Sequence, residues 1–280
     1  MGPDDFAFFR REPSGFAPLD LARSLWSRDQ LHGVAVSGLL AVALEETVAR
    51  IGRSELVPAR YHVDLFRPAT MTLTTTRTSV VRSGPRLTLI DAEVLQDGER
   101  VARATCTYLL PTDAPPGTVW HSTERAAPPP LEVAPVSDAP HVPLFASDSP
   151  WSDDFSQHQN GGRHRTWQSV VPPILGETPS TFCAAASIAD STSMVVNWGS
   201  AGVEYINTDI SLALSRRPVS LEIGLAAVDH VAHDGIAVGV AEVFDRGGSL
   251  GTATVTSLAN TKRTVDLAAA PDYEAPTTAV

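Results

Sequence analysis

Apolar residues in this chain follow two rhythms. In HGVAVSGLLAVALEETVARIG, Val34, Leu39, Val42, Ala43 and Val48 recur at helical spacing and Gly52 ends the run. The first half of that stretch is apolar nearly all round, so the predicted helix over 34–50 is enclosed on several sides. A second small-residue apolar run, TFCAAASIADSTSMVV, predicts a helix over 179–196, with Thr178 at its cap and Pro179 at its first position. Almost everything else alternates as strands do. After the first helix the alternation predicts strands at 60–66, 69–82, 86–96 and 99–110, with a tight Asp-Gly turn in QDGER. Around the second helix it predicts 166–172, then 204–215, 219–231, 235–245 and 248–260. Residues 1–30 read as two short strands in a hairpin around Pro13 and Gly15.

The two blocks are copies. RYHVDLFRP…VARATCTYL is echoed by EYINTDISLALSRRP…LGTATVTSL, so that Arg67-Pro68 stands over Arg217-Pro218 and Ala104-Thr105 over Ala253-Thr254. That offset, roughly 150 residues, is too long for a solenoid and predicts two copies of one small domain. Each copy has short strands, one enclosed helix and a long antiparallel meander, which is an α+β pattern. The boundaries expected are 1–112 for the first copy, 113–150 for a Pro-rich surface linker, 151–264 for the second copy and 265–280 for a frayed tail. A ligand site is expected between the copies.

Composition removes some functions. With 21 Lys and Arg against 32 Asp and Glu, the net charge is −11, which argues against a nucleic-acid surface. The longest apolar run, Val34 to Leu44, is too short to span a bilayer. The opening MGPDDFAFFRREP lacks the apolar core of a signal peptide. Cys106 and Cys183 both lie in apolar runs and read as buried free thiols. Together these predict a protein of a reducing cytoplasm with no membrane or nucleic-acid partner. Exposed sheet edges favour a homo-oligomer.

Few side chains stand out as chemistry. Asp190 interrupts an apolar helical run, and a buried carboxylate there needs donors around it; in a small apolar site it could deprotonate a water. Thr208, at the start of a strand, could bond to that water. His32-Gly33 opens the first helix, whose free amides could polarise an oxygen. His230, His233 and Asp234 in HVAHDG read as a hairpin turn rather than a metal site, and no metal or cofactor is expected. His158 and His164 fall in a polar loop. There is no P-loop, GxGxxG, CxxC or GxSxG.

With these residues in hand, the sequence resembles the double-hotdog acyl-CoA thioesterases of the acyl-CoA thioesterase II type. The resemblance is carried by His32-Gly33, VDLFRP at 63–68, VARAT at 101–105, AASIAD ending at Asp190, NTDISLALSRRP and LGTATVTSL. It implies two hotdogs side by side, their sheets joined into one and wrapped around two central helices. It implies hydrolysis of fatty acyl-CoA, with an Asp, a Thr and a Gln holding the water and no covalent intermediate. The Asp falls on Asp190 and the Thr on Thr208. The Gln should lie in the last strand, where this chain has Val255 followed by Thr256. Thr256 is therefore the stand-in, and its lack of an amide leaves open a slow or non-catalytic acyl-CoA-binding relative. An enoyl-thioester hydratase is less well matched, because no His accompanies Asp190. Arg67 and Arg217, with Arg216, are the arginines expected to meet CoA phosphates.

Overall fold

The computed structural model describes residues 6–137, 139–260 and 264–268. In chain order the elements are β1 (Phe9–Glu12), β2 (Gly15–Pro18), α1 (Gly33–Arg50), β3 (Val57–Asp64), β4 (Thr75–Ser83), β5 (Leu87–Gln96), β6 (Glu99–Leu109) and β7 (Leu144–Ala146). Then follow α2 (Phe155–His158), β8 (Arg165–Ser169), α3 (Thr181–Ile188), a 3-10 turn (Ala189–Ser191), α4 (Thr192–Asn197), β9 (Trp198–Gly199) and β10 (Gly202–Val203). The chain closes with β11 (Tyr205–Asn207), β12 (Asp209–Leu214), β13 (Glu222–His233), β14 (Ile236–Asp245) and β15 (Gly248–Ala259).

One 11-stranded sheet runs in the order β4-β5-β6-β3-β12-β15-β14-β13-β8-β7, with β11 also on β15. Every pair in it is antiparallel, as hairpin connections require. The predicted Asp-Gly turns form, with Asp97 at φ 51° and Gly98 at 79°, and Asp234 at 50° and Gly235 at 77°. The second of these absorbs the HVAHDG histidines, and among the described residues no three metal-ligating side chains converge.

At the centre of the sheet β3 pairs with β12, Ile210 opposite Val63. On one face α1 and α3 pack into a single core with both halves of the sheet. They approach closely because their shared face is built of small residues. Ser37 donates to the Ala186 carbonyl (2.6 Å) and Ser187 to the Val34 carbonyl (2.9 Å), while a Cβ on Gly38 would press on Ser187 Oγ at 2.8 Å. Cys106 and Cys183 are free and buried in this core. No helix among the described residues is long and apolar enough to cross a membrane.

Several predicted elements shift. The helix expected over 179–196 divides into α3, the 3-10 turn and α4, and its cap is Ser180 rather than Thr178. Ser180 Oγ accepts the Cys183 amide at 2.9 Å. The strand expected over 204–215 breaks at Thr208. The described residues of 111–143 form no strand or helix of their own and are tied to the sheet, Arg246 bonding the Ala134 carbonyl and Glu242 the Ala126 amide. The start of the expected tail is anchored, because Val265 bridges Val203 and Leu267 is buried. The rest of it, 269–280, lies outside the described residues.

Candidate active site

The split in the second helix is what positions Asp190. The 3-10 turn carries it past the end of α3 and sets its carboxylate against the first residue of α1. The fit depends on Gly33: a Cβ there would collide with both carboxylate oxygens. Asn207 Nδ2 donates to Asp190 Oδ1 at 3.0 Å, and the Val34 amide donates to the same carboxylate. Burial favours the neutral acid and pushes its pKa up to about 6, the two donors opposing the rise. At neutral pH the group is therefore still charged, yet basic enough to accept a proton.

His32 builds the other wall. Its Nδ1 accepts the Ala35 amide at 3.0 Å, so the proton sits on Nε2, which donates to the Leu21 carbonyl at 2.8 Å. Phe8 lies edge-on to the ring, 4.9 Å between centroids. Desolvation holds the imidazole neutral, with a pKa near 4. His32 is a helix cap, and its ring nitrogens are both committed to backbone. In the first turn of α1 the Val34 amide serves Asp190, Ala35 serves His32 Nδ1 and Val36 serves the His32 carbonyl. The Gly33 amide has no acceptor among the described residues.

Thr208 and Thr256 are placed differently from expectation. Thr208 is exposed and its hydroxyl donates to the Thr256 carbonyl at 3.1 Å, away from Asp190. The residue that meets the acid is the preceding one, Asn207. Successive side chains of a strand face opposite sides, so a shift of one residue exchanges inside for outside. The same correction applies on β15, where Ala253, Val255 and Ser257 are buried and face inward. Val255 joins the core, and Thr256 lies on the other face with its amide donating to Asp209 (2.9 Å). The inward polar group is Ser257, directly opposite Asn207 in register. Its hydroxyl receives Asn197 Nδ2 at 3.1 Å, and Asn197 Oδ1 lies 3.1 Å from His230 Nε2.

The arginines separate. Arg67 is exposed, 3.6 Å from Glu99, on the segment just past Leu65, whose amide donates to the Thr208 carbonyl. Arg216 forks onto buried Asp245 with contacts of 2.7 and 2.9 Å, a structural pair. Arg217 donates to the Leu56 carbonyl (3.0 Å) and lies 3.6 Å from Glu45. Glu45 is twelve residues along α1 from Gly33, about 18 Å at the helical rise, so Arg217 belongs to the opposite end of the helix pair from Asp190.

Two family models cover the chain. The acyl-CoA thioesterase N-terminal domain matches residues 22–109 and the acyl-CoA thioesterase C-terminal domain matches 111–258. No curated protein matches. Among solved structures the fold is similar to the tesB protein of Mycobacterium avium subspecies paratuberculosis, at 14% identity and a TM-score of 0.63, covering 90% of this chain and 95% of that one. It is similar to an acyl-CoA thioesterase II of Mycobacterium marinum, at 16% identity and 0.57, covering 83% and 90%. A hotdog-fold protein of unknown function from Alicyclobacillus acidocaldarius gives 18% identity and 0.64, covering 91% and 97%. At these identities the likeness is one of fold, and the large antiparallel sheet over few helices is of the hotdog type.

Proposed function

This chain belongs to the acyl-CoA thioesterase family and is a thioesterase; we propose that it hydrolyses fatty acyl-CoA at Asp190, within a double hotdog whose two sheets join at β3 and β12. The observation that carries this reading is the enclosed Asp190 carboxylate at the start of α1, with two neutral amide donors, from Asn207 and the Val34 backbone, and a pKa near 6. A water beside it loses a proton to the carboxylate as its oxygen bonds to the acyl carbon. The carbon–sulfur bond then breaks, and the proton leaves with the CoA thiolate. Asn207 and Ser257, from facing strands, take the positions from which the water is oriented. The Gly33 amide is the donor suited to the developing oxyanion, at the positive end of α1. The greasy chain is accommodated between helix and sheet, and Arg67 is the cation at this end suited to a CoA phosphate.

The test is thiol release from a panel of acyl-CoAs running from acetyl to palmitoyl, for wild type and Asp190→Asn. Turnover that depends on Asp190 supports the reading. Acyl-CoA binding with no turnover at any chain length overturns it in favour of a binding protein.

A further inference from the structure

The duplication is exact enough in register to ask what stands at the mirror position of Asp190. Across the first half, Thr78, Ala92, Ala104 and Val63 lie side by side on β4, β5, β6 and β3. Across the second, Ala227, Ala241, Ala253 and Leu212 do so on β13, β14, β15 and β12. All four pairs keep one offset of about 150 residues. The same offset carries Ser257 onto Tyr108. The helices obey it to within a residue, since His32 caps α1 and Ser180 caps α3. At one end of the helix pair a carboxylate of the second helix segment touches the start of α1. At the other, a carboxylate of α1 touches the start of α3: Glu45 Oε2 accepts from Ser180 Oγ at 2.6 Å.

Glu45 is not at the strict counterpart of Asp190. The strand offset puts Ala41 there, and Glu45 lies one turn further on the same helix face. A side chain of α1 leans toward the helix N-terminus, and Glu has one methylene more than Asp, so it reaches back toward the vacated place.

Two observations at this end go beyond the ion pair. A groove of about 190 Å³ opens over Glu45, lined by Val42, Pro173, Ile174 and Cys183 together with Glu46 and Glu177, both of which pair with Arg11. Tyr108, 1% exposed, has only the Cys106 thiol beside its hydroxyl. A fully buried phenol with only a weak thiol partner is costly in a settled core and is the kind of group a ligand satisfies. Its ring packs edge-on to Phe182 of α3 at 6.4 Å, and the Glu45 charge acts on Tyr108, Cys106 and Cys183 alike. Burial also raises the Glu45 pKa, against the bonds from Ser180 and Arg217.

We propose that the Glu45 end of the helix pair is a second acyl-thioester site, in which Glu45 does the work of Asp190, Tyr108 stands for Ser257 and Arg217 for Arg67. It rests on the thioesterase reading above. Water attacks the acyl carbon as Glu45 takes its proton, the carbon–sulfur bond breaks, and the proton passes to the departing thiolate. Arg217, 3.6 Å from Glu45, is drawn off by a CoA phosphate when substrate enters.

Four proteins decide it: wild type, D190N, E45Q and D190N/E45Q, each checked by thermal melting, with thiol release and the binding stoichiometry of S-hexadecyl-CoA as readouts. The expected result is residual turnover in D190N that falls about tenfold on adding E45Q, with two analogue molecules bound per wild-type chain. Tyr108→Phe in the D190N background should lower the residual rate without lowering the melting temperature, which a packing role for the hydroxyl would not do. An active wild type whose D190N variant is dead, or whose residual rate ignores E45Q, or a chain that binds one analogue, overturns this proposal and leaves the Asp190 reading standing. A wild type that releases no thiol from any acyl-CoA overturns both.

Discussion

The two ends of the helix pair start from the same blueprint and differ in what holds the carboxylate. Asp190 is held by neutral donors, an Asn amide and a backbone amide, over a glycine that leaves room for it. Glu45 is held by a serine hydroxyl and has a guanidinium 3.6 Å away. Neutral donors leave most of the desolvation in force, which is why Asp190 is a stronger base than an exposed Asp. A cation stabilises the charged form and makes the carboxylate less ready to take a proton. In both places burial raises the carboxylate pKa and the partners oppose the rise, amides at Asp190 and a hydroxyl with a guanidinium at Glu45.

The largest effect should come from removing the carboxylate held by neutral donors. Asp190→Asn keeps the shape and the Gly33 contact and deletes the negative charge, so kcat/KM should fall by about 10²–10⁴. The fold should not suffer, because a desolvated charge is removed. A variant with near wild-type rates would invert the comparison and make Glu45 the principal acid.

Gly33→Ala sharpens the same contrast from the other side. Alanine is favoured over glycine in a helix, which offsets part of the cost of displacing the carboxylate, so the melting temperature should change little. The added Cβ has nowhere to go except into the Asp190 carboxylate, and must push it off Asn207. Misplacing a catalytic group by about 1 Å can cost around 10² in rate, so activity should fall by about 10–10² with stability intact. Full activity in G33A would mean that the carboxylate does not need this seat.

How legible this was depended on which residues carry redundant signals. The repeat, the antiparallel meander and the enclosed helices each show twice, once in the local pattern and once in the second copy, whereas Asp190 shows once, as a carboxylate interrupting an apolar helical run. Thr208 and Thr256 had only spacing behind them, and spacing along a strand does not fix the face. Asn207 could have been found by noting that Val255 is core-like, which forces Ser257 inward and its cross-strand neighbour Asn207 with it. The break in the second helix was hidden because TFCAAASIADSTSMVV keeps helical spacing through it. Tertiary packing against Gly33, not local propensity, decides that Asp190 leaves the regular helix.

The third difference lies in the donor itself. Asn207 stabilises the charged carboxylate, so Asn207→Ala should raise the Asp190 pKa above about 6. The acid limb of the pH–kcat/KM profile, set by loss of the carboxylate as pH falls, should then move up by about one unit. An unmoved limb would mean that the rate reports some group other than Asp190.

The smallest effect separates the two caps. Ser180 on α3 does not titrate near neutrality, whereas His32 on α1 is part-buried and desolvation holds it neutral, with a pKa near 4 instead of the usual 6.5. A depressed folded pKa means that the unfolded chain binds the proton first. The contribution of His32 is therefore fully present above the unfolded pKa and is lost as pH falls through the folded one. Between pH 7 and pH 6 that loss is roughly 0.7 kcal/mol. His32→Ser copies the other cap and should remove this slope, measured by denaturant unfolding at the two pH values. It gives up the bond to the Leu21 carbonyl and the Phe8 contact, so the variant starts from a lower stability. A slope that survives the substitution would place the acid sensitivity elsewhere. One group it would leave out is Asp190, because a raised carboxylate pKa works in the opposite sense, costing stability as pH rises through about 6.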